Sequence, residues 1–130
     1  MRYLLLIYGA EQPADTQVPP DAAAAEMRAY GAFTRECVDR GVLRGGEALQ
    51  PTSSATSVRV RNGAVSVTDG PFAETKEALG GFYLLECRDL DEAIELSARI
   101  PGATRGTIEI RPIQELGEEY AEMAGTSGAG

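Results

Sequence analysis

The spacing of apolar residues changes along the chain, and the changes divide it into segments. Tyr3 to Tyr8 is one continuous apolar run closed by Gly9, the pattern of a central strand covered on both faces. Glu11 to Pro20 carries Pro13, Pro19 and Pro20 among polar residues and is expected as a loop. From Asp21, four alanines and then Met27, Tyr30, Phe33, Thr34, Cys37 and Val38 recur at helical spacing, with Glu26, Arg28, Arg35, Glu36 and Asp39 between them. That spacing predicts an amphipathic helix closed by Gly41, with the Met and aromatic stripe as its core face.

Val42 to Leu49 is mildly apolar around Gly45-Gly46, which predicts a strand with a bulge or a close approach by another backbone. Pro51 to Ser54 breaks it. Two alternating β-branched segments follow, Ser57 to Arg61 and Ala64 to Thr68, joined by Asn62-Gly63, the dipeptide that a two-residue type I′ hairpin turn favours. Arg59 and Arg61 share one face of this hairpin, either as an ordinary solvated face or as an anion site. Gly80 to Glu86 reads as a strand. Asp89-Leu90-Asp91-Glu92 reads as a capping box, Asp89 accepting from the Glu92 amide while Glu92 reaches back. The helix behind it turns Leu90, Ala93, Ile94, Ser97 and Ile100 inward and stops at Pro101-Gly102. Thr107 to Ile113 alternates as a last strand, its Pro112 marking an end or an edge.

With the hairpin set aside, the order is βαββαβ, an α+β class whose antiparallel sheet carries both helices on one face, the ferredoxin-like arrangement. The other sheet face would then show apolar residues to water, and a face-to-face homodimer is the economical way to cover it. Residues 1–116 are expected as one domain. Residues 117–130, acidic and then rich in Gly, Ser and Ala, are expected as a flexible tail.

Composition narrows the chemistry. The 130 residues, 43% hydrophobic, suit one compact core. Twelve basic residues against twenty acidic ones give a net charge of −8, which repels nucleic acid and an anionic membrane surface alike. The chain has no His, so histidine-based nucleophile arrangements, zinc sites and proton shuttles are excluded within one chain. Cys37 and Cys87 fit neither a redox motif nor a zinc site and are expected as free, at least partly buried thiols rather than a disulfide. The N-terminal apolar run is too short to span a membrane, so the protein is expected in the cytoplasm.

The densest chemistry lies in Thr68-Asp69-Gly70-Pro71-Phe72-Ala73-Glu74-Thr75-Lys76-Glu77, which leads through Gly80-Gly81-Phe82 into Tyr83-Leu84-Leu85. Asp69-Gly70-Pro71 is turn chemistry: the Asp side chain can accept from nearby amides, Gly70 permits positive φ, and Pro71 fixes the next residue. Asp69 either only holds this corner or presents a carboxylate at the mouth of a pocket with Phe72 as an apolar wall. Glu74, Lys76 and Glu77 add three charges, solvated unless the segment folds inward. Asp69, Glu74 and Glu77 fit no calcium loop, and neither a metal nor a cofactor is expected.

This motif, with Gly80-Gly81-Phe82-Tyr83, the opening Tyr3 to Gly9, the Asp89 to Ala93 box and the closing Gly106 to Pro112, resembles the YCII-related proteins of the DGPF-domain type over nearly the whole chain apart from the tail. The resemblance implies a dimeric α+β barrel of ferredoxin-like protomers, in a family whose function is mostly unassigned. Some relatives in the wider superfamily act on small cyclic compounds, and one branch is proposed to use a His-Asp pair as acid and base. Without His, only Asp69 can stand for that pair here. Proteins of this type are also often encoded beside, or fused to, extracytoplasmic-function sigma factors.

Two functions follow as expectations. The first is a small-molecule pocket with acid/base chemistry of an isomerase or lyase kind centred on Asp69. Lys76 or Arg111 would then stabilise developing negative charge, and Phe72, Glu74, Lys76, Glu77, Tyr83 and Arg111 would form the ligand-binding set. The alternative is a non-catalytic regulatory module with a sigma factor or metabolite as partner, contacted through the hairpin or the tail.

Overall fold

The computed structural model describes residues 1–12 and 16–125. Pro13 of the expected loop and residues 126–130 of the expected tail lie outside them. The protein is an α+β fold whose main sheet has four strands, every neighbouring pair antiparallel. Strand β1 (Arg2–Gly9) is central, paired with β5 (Ala78–Glu86) on one side and β6 (Thr107–Pro112) on the other, while β2 (Leu43–Ala48) lies outside β5. The strand is central, as its continuous apolar run suggested, but it is covered on one face only: Tyr3 and Leu5 are buried, while Leu4 and Leu6 are half-buried.

One face of the sheet carries the core. Tyr3, Leu5 and Leu85 point there and are at most 2% exposed. They meet Phe33 and Cys37 of helix α1 (Pro20–Asp39) and Ala93 and Leu96 of helix α2 (Leu90–Ser97) in one buried cluster. Each Leu so buried contributes roughly 1.5–3 kcal/mol relative to an exposed one. Side chains alternate across a strand, so Leu4, Leu6, Phe82 and Leu84 turn to the opposite face, where they are only half-buried.

Both helices bury narrower stripes than their sequences predict. On α1 only Phe33 and Cys37 are buried, whereas Met27 is 77% and Val38 53% exposed. The helix is twenty residues long, and its first half, from Pro20 to Ala29, lies exposed beyond the packed core. On α2, Ala93, Leu96 and Ser97 turn inward, while Leu90 and Ile94, expected inside, are about half exposed. The Asp89 carboxylate caps α2 by accepting from the Glu92 amide at 2.9 Å. Glu92 reaches back one residue further than a capping box requires, accepting from the Arg88 amide and guanidinium, both at 2.8 Å. Outside, Arg40 and Arg99 bridge Glu36 of α1 to Glu95 of α2.

The bulge expected near Gly45 is present, since the β2–β5 register shifts between Leu43 and Gly45. So is the close approach: a Cβ on Gly46 would lie 2.9 Å from the Tyr83 ring and 3.0 Å from the Phe82 carbonyl oxygen. The hairpin forms a separate two-stranded sheet of β3 (Thr56–Arg61) and β4 (Ala64–Asp69). Its turn residues have φ of 51° at Asn62 and 77° at Gly63, the left-handed pair that a type I′ turn needs. Replacing Gly63 with Val forces a β-branched residue into that region and is expected to cost on the order of 1 kcal/mol or more. Unchanged urea denaturation and unchanged hairpin amide shifts would contradict the assignment.

The expected tail also differs. Gly117–Met123 forms a short exposed helix, α3, begun by Gly117 at φ 82° and carrying Glu118 and Glu119 in its first turn, where a helix favours acids. Arg2 ties the preceding segment to β1 through a two-pronged bond to Glu115, at 2.9 and 2.7 Å. Among the described residues no helix is long and apolar enough to cross a membrane.

Candidate functional site

A cleft of about 920 Å³ opens where the middle of α1 passes the ends of β1, β2 and β5. Three features of the sequence make the space. Helix α1 presents Tyr30 and Thr34, one turn apart, on the side facing the sheet. The strands answer with glycines, Gly45 and Gly46 on β2 and Gly80 and Gly81 on β5, so no strand side chain fills the gap there. Behind them Gly102 and Gly106 close the floor, and a Cβ on Gly102 would lie 2.8 Å from the Tyr30 hydroxyl and 3.2 Å from Ile7.

The walls are mostly apolar and aromatic, with a hydroxyl cluster inside. Tyr83 packs edge-on against Phe33, ring centroids 5.0 Å apart at 67°, the favoured T-shaped geometry. Thr34 Oγ1 donates to the Tyr30 carbonyl at 2.9 Å and lies 2.9 Å from the Tyr83 hydroxyl. Burial pushes the Tyr30 hydroxyl above its ordinary pKa, against a smaller opposing effect of its hydrogen bond with the Gly102 backbone, so it keeps its proton at neutral pH.

Charges sit around the rim. Arg105 is ion-paired with Glu26, tying the loop before β6 to α1. Glu11 accepts from both the amide and the hydroxyl of Thr52, and the hydroxyl, followed by the amide, holds its carboxyl below the usual range. Glu47, at the same rim, stands opposite Phe82 and turns its side chain with it to the sheet face away from Tyr83.

The sequence motif lies elsewhere. Asp69 ends β4, exposed, and its carboxylate has no hydrogen bond or ion pair among the described residues. The corner is held by its neighbours: the Gly70 amide, at φ 97°, donates to the Ala55 carbonyl at 2.7 Å, and the Ser57 hydroxyl donates to the Gly70 carbonyl at 2.8 Å. Phe72 is 80% exposed and walls no pocket, and Glu74 and Lys76 are exposed in the irregular segment before β5. Arg111 belongs to β6, where its ion-pair partner is Glu109 at 3.8 Å, so neither Lys76 nor Arg111, the cations expected to stabilise charge beside Asp69, pairs with it within the protomer. The physical reason is topological, because β4 belongs to the hairpin sheet and β6 to the main one. Glu77 alone folds back, accepting from the Thr107 hydroxyl at 2.9 Å beside a shallow groove with Tyr8. Of the seven anticipated site residues, only Tyr83 lines the cleft.

Asp69→Asn is therefore expected to change stability by no more than about 0.5 kcal/mol, the range of an ordinary surface substitution. Urea denaturation reads this directly, and a loss of several kcal/mol would show that the carboxylate has a buried partner.

Cys37 and Cys87 are free and buried, as their spacing suggested. Burial pushes the Cys37 thiol up to about 11 and raises that of Cys87, so neither is a thiolate nucleophile at neutral pH. Among the described residues no group of three or more potential ligands gathers in a geometry that could hold a metal.

Residues 1–117, which contain both the cleft and the exposed motif, match the family of the YCII-related domain. The chain belongs to this family. A curated protein of Rhizobium meliloti (strain 1021) is 43% identical over 89 residues, 67% of this chain and 72% of that one, and is itself described as uncharacterized. Within this YCII-related domain the residues that sequence reasoning missed are Tyr30, Thr34, Gly102 and the Glu26–Arg105 pair. Hydroxyl-bearing Tyr30 and Thr34, four apart on the inward side of an apolar helix, were the available signal.

Proposed function

We propose that this YCII-related domain binds a small molecule in the cleft between α1 and the glycine-lined ends of β2 and β5. The observation that carries the reading is the cavity itself: about 920 Å³, apolar and aromatic in its walls, with a few convergent hydroxyls. That is the composition of ligand sites generally, and two tyrosines with glycines opposite them leave room for a ring. Acid/base chemistry centred on Asp69 gains no support from the geometry within a protomer, so the reading rests on the cleft. A fragment screen followed by amide shift changes tests it. Fragments are expected to perturb Tyr30, Gly46 and Tyr83, and Ala48→Trp, at the exposed end of β2, is expected to block them while the fold persists. Fragments that perturb other surfaces and leave these three unmoved would overturn it.

The strand order β2-β5-β1-β6, read without the hairpin, supports a ferredoxin-like protomer. The half-buried Leu4, Leu6, Phe82 and Leu84 on the sheet face away from the core support a second copy packed there, which would close a dimeric barrel. Light scattering at micromolar concentration is expected to give the dimer mass, and a monomer mass would refute the pairing.

A further inference from the structure

We infer that the hairpin of β3 and β4 is a dimerisation arm whose valine face packs on a second copy of the chain. The inference rests on the sheet-to-sheet pairing proposed above and adds a second contact surface to it.

The strand register defines the face. Val58 stands opposite Val67 and Val60 opposite Val65, and residues directly opposite on an antiparallel pair point the same way, as do residues two apart on one strand. The four valines therefore lie together on one side of the hairpin, with Arg59, Arg61 and Ser66 on the other. That is the division of a sheet with one face packed and one in water. Yet all four valines are between 56% and 67% exposed, and among the described residues β3 and β4 pack chiefly on each other. A lone two-stranded hairpin is marginal in water unless its apolar face is covered. Residues 13–15 and 126–130 hold no Val, Leu, Ile, Met or aromatic side chain with which to cover it.

Reach, area and charge select a second copy as the cover. Each strand has six residues, about 20 Å at the strand rise, and sheets packed face to face lie about 10 Å apart, so the arm can extend from one protomer onto the other. The arm is held at its base: the Gly70 amide donates to the Ala55 carbonyl at 2.7 Å, and the Ser57 hydroxyl donates to the Gly70 carbonyl at 2.8 Å. A stable dimer covers roughly 800 Å² on each partner. Leu4, Leu6, Phe82 and Leu84 are already half-buried and supply only part of that, whereas each valine exposes a larger fraction of itself than any of them. Residues 56–69 carry Arg59 and Arg61 against Asp69, a net +1, so the rest of a chain that totals −8 is left with −9. The hairpin is thus a part of the chain that an acidic second copy attracts rather than repels.

Sedimentation velocity of the full chain across a range of concentrations tests the arm. The parent is expected to dimerise. Val60→Thr combined with Val65→Thr keeps a β-branched cross-strand pair but places hydroxyls in the contact, and is expected to raise the dimer dissociation constant about hundredfold or more, because twofold symmetry counts each change twice. Ser66→Thr, on the arginine face, should leave the constant unchanged. Amide hydrogen exchange on the unmodified chain gives a second readout: β3 and β4 should exchange more slowly in the dimer than after dilution to the monomer. If the double variant fails to fold, the exchange result alone decides. A parent that sediments as a monomer at micromolar concentration would sink the arm and the sheet pairing together. A dimer whose hairpin exchange does not change on dilution, or that the double variant leaves intact, overturns the arm while the sheet pairing stands.

Discussion

Gly106→Ala is expected to destabilise the protein by about 3 kcal/mol or more, the upper end of what overpacking costs. Gly106 lies where the chain leaves the turn at Pro101–Thr104 and comes alongside the end of β1, its amide bonded to the Gly102 carbonyl at 2.9 Å. A Cβ there would overlap the Tyr8 carbonyl oxygen and stand 3.1 Å from its carbon and 3.2 Å from the Gly9 Cα. All three are main-chain atoms of the central strand, so no side chain can rotate away to relieve the clash. Either β1 and β6 separate at this end or the turn shifts, and both deform the floor of the cleft. Gly80→Ala is the matched control: its Cβ would meet only the Ile7 carbonyl oxygen, at 3.8 Å, an ordinary contact. That substitution is expected to be neutral or to stabilise by up to about 1 kcal/mol through the unfolded chain. Equal urea midpoints for the two variants would contradict the packing described.

Leu85→Ala is expected to cost about 2–5 kcal/mol, the loss of a fully buried side chain together with the cavity it leaves. Leu85 is 0% exposed and stands opposite Tyr3 on one neighbour and Leu43 on the other, so neither adjoining strand can move inward alone to refill the space. With total stability on the order of 5–15 kcal/mol, such a loss removes a large fraction of it. A thermal midpoint lowered by roughly 10 °C is the expected reading. A shift of less than about 3 °C would mean that the two helices relax onto the sheet more freely than their shared cluster implies.

What could be read from the sequence was local. Asn62-Gly63 announces its hairpin because both turn conformations are set by two adjacent residues, and Asp89 announces α2 because a cap acts within four positions. The inward faces of the helices were legible only in part, because spacing reveals that a stripe exists but not how much sheet lies beneath it. Met27 and Val38 belong to the stripe of α1 and still face water. The gathering of Glu118 and Glu119 reads as a polar tail, yet behind Gly117 it is also a favourable first helical turn. The candidate site was the least legible. Its residues run from Ile7 to Gly106 and become neighbours only through strand order, whereas Asp69 to Glu77 is conspicuous because its charges are contiguous, which is a property of the chain and not of a cavity.

The placement of β1 sets a schedule for synthesis. The first strand of the chain is the middle of the sheet, and it finds β5 only when Glu86 has been made to face Arg2, and β6 only when Pro112 has been made to face Tyr3. At roughly 5–20 residues per second, the growing chain holds Tyr3 to Tyr8 without its second edge for about 5–20 s. During that interval the segment is a short, uncharged, β-prone stretch of the kind that pairs with copies of itself on neighbouring nascent chains. The hairpin and α1 can form early but offer this strand no edge. A chaperone that holds apolar segments should therefore engage Tyr3 to Tyr8 and release the segment only as Thr107–Pro112 emerges.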